Sequence, residues 1–130
     1  MTRRQAREEA FILVFEKQFN DSPLEDILNL AVEVRDIKPD DYIKDAFFGV
    51  YSNLDDIDKI ISDCAVGWSI GRISKTALAV LRLSIYEMKY ISEIPVAVSI
   101  NEAVEILKKY ATKEEAKYLN GILSSAKEMV

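Results

Sequence analysis

The stretch Lys75–Ile91, KTALAVLRLSIYEMKYI, decides how the rest of the chain is organised. It contains no Gly or Pro, and eleven of its 17 residues are apolar. An unbroken run of this length exceeds a typical buried strand and therefore predicts a helix, with Ser74 as its N-cap. A helix that is apolar on most of its circumference has to be surrounded by other helices. We expect the remaining helices to pack around this central helix.

The composition agrees with an all-helical domain. The chain has 130 residues, of which 49% are hydrophobic and 30% charged, with only four Gly and three Pro. This length fits one compact domain, or two small subdomains sharing a core. Gly67 and Gly71 interrupt the helical pattern before the central helix, so we predict subdomains of residues 1–66 and 67–130. Trp68 is expected in the seam between them.

Several classes of function are excluded by missing residue types. There is no His, which rules out a His-based catalytic relay and the usual zinc sites. The single cysteine, Cys64, cannot form an intrachain disulfide and is expected in the core. No apolar run reaches the ~20 residues that cross a bilayer, and the N-terminus lacks a secretory signal. These points favour a cytosolic protein that is not an enzyme.

Charge is distributed unevenly along the chain. The formal net charge is −5, but residues 20–65 alone hold four basic and twelve acidic groups. Residues 1–19 carry +1 and residues 66–130 carry +2. A basic surface built from the two ends of the chain is therefore compatible with the negative total.

The first helix is predicted from Arg3 to about Gln18, after a capping box formed by Thr2 and Gln5. At ~100° per residue, Arg3, Arg4, Arg7 and Phe11 fall on one arc, separate from the arc of Ala6, Ala10 and Leu13 that should face the core. Two interpretations of the arginines stay open. They contact phosphates, whose oxygens match guanidinium groups, or they form a solvated face beside nearby glutamates.

Start signals and apolar spacing place the other helices. The predicted ranges are about 23–34, 41–52, 54–66, 101–110 and 112–127. The residues expected to cap four of these helices are Ser22, Asn53, Ser99 and Thr112. Asn101 and Glu102 resemble an active-site pair, but no nucleophile or metal ligand accompanies them, so we assign them a capping or helix-bridging role.

A second basic cluster surrounds the start of the last helix, with the residues Lys108, Lys109, Lys113, Lys117 and Tyr118. RNA-binding proteins combine phosphate-binding cations with an aromatic ring on which an unpaired base can stack. A solvated helix end gives the same pattern, so this cluster alone does not decide between the two.

Four segments in this order and spacing resemble the NusB family of bacterial transcription antitermination factors. They are Arg3–Glu8 (RRQARE), Val80–Leu83 (VLRL) with Tyr86 and Glu87, Ile94 and Pro95 followed by Ser99–Glu105 (SINEAVE), and Tyr118–Leu123 (YLNGIL). The resemblance covers nearly the whole chain. It implies an all-α fold of about seven helices, arranged as two three-helix bundles around the central helix. It also implies binding of boxA RNA in ribosomal RNA transcripts together with the protein NusE, within the RNA polymerase antitermination complex, and no catalysis or cofactor.

The resemblance also assigns roles to individual residues. Those matching the RNA-contacting positions of the family are Arg3, Arg4, Arg7, Lys113, Lys117 and Tyr118. Phe15 matches an aromatic position near the NusE surface. Ala77 and Leu78 replace a charged pair common in the family, which makes Leu78 an apolar candidate for the same partner surface. The family includes monomers and dimers, so a homodimer covering the arginine face stays open.

These assignments require that folding bring the two ends of the chain together, with Arg4 and Lys117 on the same side of the molecule. The alternative is a NusB-like protein-interaction module that has lost RNA contact, which the net charge of −5 and the small cation clusters suggest.

Overall fold

A computed structural model describes residues 1–67 and 69–130. In these residues there are seven α-helices and no strand. They are α1 (Arg3–Lys17), α2 (Leu24–Arg35), α3 (Asp41–Ser52), α4 (Leu54–Cys64), α5 (Lys75–Tyr90), α6 (Val96–Tyr110) and α7 (Lys113–Ala126), with a short 3-10 turn at Ile70–Arg72. The all-helical fold predicted from the sequence is confirmed.

Helix α5 is the centre of the molecule, as its composition predicted. Every residue from Ala77 to Met88 is buried. The helix contacts α1, α3, α4, α6 and α7. The hydroxyl of Ser74 accepts a hydrogen bond from the backbone N–H of Ala77 and so caps its N-terminus, as expected.

The other helices form bundles on two sides of α5. Helix α1 contacts α2 and α3, whereas α7 contacts α4 and α6. Helix α4 contacts both α3 and α7, so it connects the two groups. The division at residues 66 and 67 stays a prediction. The expected position of Trp68 in the seam lies outside the described residues.

Two of the four caps predicted for the flanking helices are wrong. Helix α2 begins after Pro23 without a side-chain cap from Ser22. Ser99 lies inside α6, because that helix begins directly after Pro95. Asn53 occupies the N-cap position of α4 as predicted, but its side-chain amide donates to the carbonyl of Gly49 at the end of α3 and makes no cap bond to α4. Thr112 caps α7 as predicted, accepting from the N–H of Glu115.

Helix α4 is also shorter than predicted. Its last residue is Cys64, and the next residues leave the helix, with Gly67 at a φ of +81°. Glycine adopts this left-handed conformation without the steric penalty of other residues. Cys64 itself is buried, as expected for a small core residue, and burial raises the pKa of its thiol.

Helices α3 and α5 approach each other closely at Gly49. A Cβ atom at this position would overlap the ring of Tyr86. Tyr86 is buried and stacks on Tyr90, with 5.2 Å between ring centroids. Burial, together with the carboxylate of Asp45, raises the pKa of Tyr86 to about 12. The missing side chain of Gly49 therefore makes room for the tyrosine.

Candidate nucleic-acid interface

Helices α1, α6 and α7 enclose an open groove with a volume of about 510 Å³. Its lining residues are Arg4, Asn101, Glu102, Val104, Glu105, Lys108, Ala116, Lys117 and Asn120. Arg4 near the front of the chain and Lys117 near its end thus lie in the same groove. The expected juxtaposition of the two ends is confirmed.

The charge of this groove is mixed, in contrast to the continuous positive strip that we expected. Three cations, Arg4, Lys108 and Lys117, share it with the carboxylates of Glu102 and Glu105. Lys108 pairs with Glu105 one helical turn away, at 3.3 Å. Carboxylates within the groove oppose a polyanion that runs along its floor, so phosphates would have to contact the cations directly.

Arg4 is held by a bidentate ion pair with Glu102. Its Nε and Nη2 atoms donate to the two carboxylate oxygens at 3.1 and 2.8 Å. The side chain of Arg4 is 73% exposed, whereas that of Glu102 is 14% exposed. The hydrogen bond from Arg4 lowers the pKa of Glu102, although burial opposes this shift. The predicted helix-bridging role of Glu102 is confirmed, since it connects α6 to α1.

Arg7 occupies a different environment from the one that we expected. Only 4% of it is exposed, so in this structure it cannot reach an RNA phosphate. Its Nε and Nη2 atoms donate to Glu87 at 2.7 and 3.0 Å, and its Nη1 atom donates to Glu102 at 3.3 Å. The reason is that α1 packs against α3 and α5 on the side where Arg7 lies, and the carboxylates of Glu87 and Glu102 compensate its buried charge.

Glu87, which is 1% exposed, joins four helices. Besides Arg7 of α1, its carboxylate accepts hydrogen bonds from the hydroxyls of Tyr42 in α3 and Ser99 in α6. Burial lowers the pKa of Arg7, but the hydrogen bonds and charge of Glu87 outweigh it, so the pKa is raised overall. Burial and the nearby Glu87 both raise the pKa of the Tyr42 hydroxyl. Arg7 and Glu87 therefore form a neutralised, hydrogen-bonded centre beneath the groove.

The three other predicted RNA-binding residues are not among those that line the groove. Arg3 is exposed, with its guanidinium 4.4 Å from the ring centroid of Tyr42. Lys113 is exposed one helical turn before Lys117, on the same side of α7. Tyr118 is half-buried against the core, and burial raises the pKa of its hydroxyl. It does not line the groove, so base stacking on Tyr118 stays a prediction, as do the contacts of Arg3 and Lys113.

The predicted partner residues separate into one at the surface and one in the core. Phe15 lines a second, largely apolar groove of about 330 Å³ between α1, α5 and α6, together with Phe11, Ile12, Glu16, Thr76 and Tyr110. Leu78 is 4% exposed and packs in the core, so its assignment to a partner surface is wrong. Thr76 lies two residues before Leu78 in α5 and therefore faces another side of the helix, where it lines this groove.

Three residues of the first groove, Asn101, Lys108 and Asn120, were not among those that the family resemblance assigned to RNA. Asn101, Glu105 and Lys108 recur at i, i+4 and i+7, which puts them on one face of α6. Asn120 follows Lys113 and Lys117 at the same spacing on α7. The helical spacing of polar residues could therefore have pointed to all three. Using it would have required knowing which polar helix faces meet in the fold.

The ion pair between Arg4 and Glu102 makes stability depend on pH. The pKa of Glu102 is lowered from its ordinary value of 4.5, so the folded state binds the proton less tightly than the unfolded state. The ion pair therefore stabilises the protein fully above the ordinary pKa of 4.5. This stabilisation is lost as the pH falls through the lower pKa that Glu102 has in the folded state. We expect the advantage of the wild type over Glu102→Gln in urea unfolding to shrink between pH 6 and pH 3. A constant difference over this range would contradict the assignment.

No helix in residues 1–67 and 69–130 has the length and apolar character needed to cross a membrane. In the same residues, no group of three or more Cys, Asp and Glu side chains could hold a metal ion.

The sequence and the backbone were compared with those of known proteins. The sequence model described as the NusB family matches residues 4–128. Proteins named transcription antitermination protein NusB include one from Acetivibrio thermocellus, 42% identical over 125 residues, covering 95% of this chain and 86% of that protein. Another, from Natranaerobius thermophilus, is 43% identical over 128 residues, covering 95% and 92%.

Solved structures show the same similarity. The NusB structure from T. maritima has a TM-score of 0.86 and 34% identity, covering 98% of this chain and 92% of that one. A chain from the crystal structure of the antitermination factors NusB and NusE in complex with dsRNA has a TM-score of 0.87 and 25% identity, with both chains covered completely. The similarity in sequence and in backbone thus extends along nearly the whole chain.

Proposed function

We propose that this chain, which belongs to the NusB family, is a transcription antitermination factor that binds boxA RNA of ribosomal RNA transcripts together with NusE. In this role it supports read-through by RNA polymerase as part of an antitermination complex. It acts by binding and is not an enzyme, and it works in the cytoplasm, where transcription takes place.

The groove between α1, α6 and α7 is the observation that carries this proposal. It joins Arg4, Lys108 and Lys117 from three helices, with the exposed Lys113 one helical turn before Lys117. Cations that neutralise phosphates release counterions, which gives affinity without base-specific contacts. The amides of Asn101 and Asn120 in the groove can bond to the edges of unpaired bases. The composition therefore suits a single-stranded RNA segment.

The aromatic groove around Phe15 is our candidate for the NusE contact. The ring of Phe15 lies 6.3 Å from that of Phe11 and 5.1 Å from that of Phe19, measured between centroids. Phe19 is 64% exposed. Aromatic residues that are partly exposed and close together are typical of the energetic centre of a protein interface. This groove and the RNA groove both include residues of α1, so one partner is placed beside the other.

The alternative, an interaction module without RNA contact, is favoured by the two carboxylates in the RNA groove and by the burial of Arg7. A titration separates the two. We would measure fluorescence anisotropy of a labelled boxA oligonucleotide with the protein alone, with NusE alone and with both. Binding that is tightest with both supports antitermination. RNA binding by the mixture no tighter than by NusE alone, with NusE still bound, would support the interaction module.

Removing a groove cation should reduce the salt dependence of RNA binding. For Arg4→Ala and Lys117→Ala we expect the slope of log K against log salt concentration to fall by about 0.7–0.9 each. The melting temperature of Lys117→Ala should change little, because that side chain is exposed, whereas Arg4→Ala also loses the ion pair with Glu102 and should melt somewhat lower. The matched control is Lys59→Ala on α4, whose lysine pairs with Asp63 and does not line the groove. Equal slopes for all three variants and the wild type would show that RNA binds elsewhere.

A further inference from the structure

Arg7 and Arg4 use their nitrogen atoms in the same way. Arg7 gives Nε and Nη2 to one carboxylate, that of Glu87, at 2.7 and 3.0 Å, and gives Nη1 to the next, that of Glu102, at 3.3 Å. Arg4 gives Nε and Nη2 to Glu102 at 3.1 and 2.8 Å. Charges thus alternate from the core to the surface in the order Glu87, Arg7, Glu102 and Arg4.

The outermost member of this series has an unused edge. Among the described residues, no acceptor contacts Nη1 of Arg4, and its side chain is 73% exposed. A guanidinium has a second edge, formed by Nη1 and the remaining N–H of Nη2, that matches two oxygens of a phosphate. In Arg7 the corresponding Nη1 donates to a carboxylate. At Arg4 the same place in the series is open to an anion from solution.

We propose that Glu102 is a positioning residue for RNA, which fixes Arg4 so that its Nη1 edge faces an incoming phosphate. This inference rests on the proposed function. It also gives Arg7 a role in the same function, because Arg7 anchors Glu102 from below without touching RNA.

The physical benefit is preorganisation. A free arginine side chain loses about 2 kcal/mol of rotamer entropy when it is immobilised. In the free protein two hydrogen bonds to Glu102 already restrain Arg4, and Arg7 holds Glu102 in turn. Part of this entropy is therefore lost before RNA binds. The negative charge of Glu102 opposes RNA, but two arginines neutralise it. The positioning effect and the charge effect of Glu102 on RNA affinity therefore have opposite signs, which makes them separable.

The test is the RNA affinity of Glu102→Gln, measured with a boxA oligonucleotide in the presence of NusE. If Glu102 positions Arg4, the variant should bind about 2- to 10-fold more weakly, since one side chain must now be ordered on binding. If only charge matters, loss of a carboxylate beside a polyanion should tighten binding. The matched control is Glu8→Gln, which removes a carboxylate that pairs with Lys109 and does not line the groove, and which should bind as tightly as the wild type or more tightly.

Two further variants attribute the effect to Arg4. In an Arg4→Ala background, Glu102→Gln should no longer weaken binding, because only the charge effect remains. Arg4→Lys keeps the charge but lacks the planar guanidinium, so affinity should fall with little change in the salt slope. Because Arg4 is exposed, this variant decides the question even if Glu102→Gln folds poorly.

The outcomes separate the two proposals. Absence of RNA binding by the wild type would overturn both of them. Binding by the wild type, with Glu102→Gln equally tight or tighter, would overturn the positioning role alone, and so would an Arg4→Lys variant with wild-type affinity.

Discussion

Replacing Glu87 by alanine is expected to lower the free energy of unfolding by about 3–5 kcal/mol, the usual effect of removing one partner of a buried ion pair. Glu87 is 1% exposed, and its partner Arg7 would remain buried with only the longer ion pair to Glu102, at 3.3 Å, to compensate its charge. The hydroxyls of Tyr42 and Ser99 would also lose their acceptor. A small domain has only about 5–15 kcal/mol of stability, so this variant should lose a large part of it.

Urea unfolding followed by circular dichroism measures this effect. Glu128→Ala, at the exposed end of the chain, is the matched control and should change stability by less than about 0.5 kcal/mol. The double variant Arg7→Met/Glu87→Met should recover most of the loss, because apolar groups of similar size need no charge compensation. If Glu87→Ala were as stable as the control, the ion pair would not be the buried centre that we describe.

The second large effect is expected at Gly49, where adding a methyl group should destabilise the protein. Glycine inside a helix normally costs about 1 kcal/mol relative to alanine, so Gly→Ala usually stabilises. At Gly49 the new Cβ overlaps the buried ring of Tyr86, so the ring or helix α3 would have to shift within the packed core. We expect a net loss of about 1–3 kcal/mol, the range for an overfilled core.

Gly121, inside α7, provides a control with the same chemical change. A Cβ atom there meets no other atom within 4 Å, so Gly121→Ala should raise stability by about 0.5–1 kcal/mol. The two glycine variants should therefore shift the urea midpoint in opposite directions. In a Tyr86→Leu background, Gly49→Ala should cost less stability than it does in the wild type, because the smaller side chain removes the overlap. Shifts of the same sign and size would show that α3 and α5 are not in close contact at Gly49.

The sequence predicted the features that depend on local patterns. The central helix followed from an unbroken apolar run, and the caps at Thr2, Ser74 and Thr112 followed from side chains that bond to the backbone three residues away. The NusB family resemblance and the meeting of the two chain ends followed from several segments in order. These features require no knowledge of how deeply each helix is buried.

The depth of burial is what the pattern did not provide. Helical spacing put Arg7 on an arc with Arg3 and Arg4, but that arc also contains Phe11, which is buried. Because α1 packs on two sides, the arc crosses from solvent into the core between Arg4 and Arg7. Leu78 was misassigned for the same reason, whereas Ser99 was misassigned because its helix begins earlier, directly after Pro95. Their neighbours on other helices, including Glu87, lie far away in sequence and determine their environment.

The ion pair between Arg7 and Glu87 also constrains how the protein forms during translation. Eighty residues separate the two partners. At the usual 5–20 residues per second, Arg7 is synthesised roughly 4–16 s before its buried counterion. Until then Arg7 cannot enter the interior without an unpaired charge, so α1 must wait, undocked, as a nascent segment. Ribosome-bound chains of 70 residues should therefore expose α1 to protease, and chains with α5 and α6 beyond the exit tunnel should protect it.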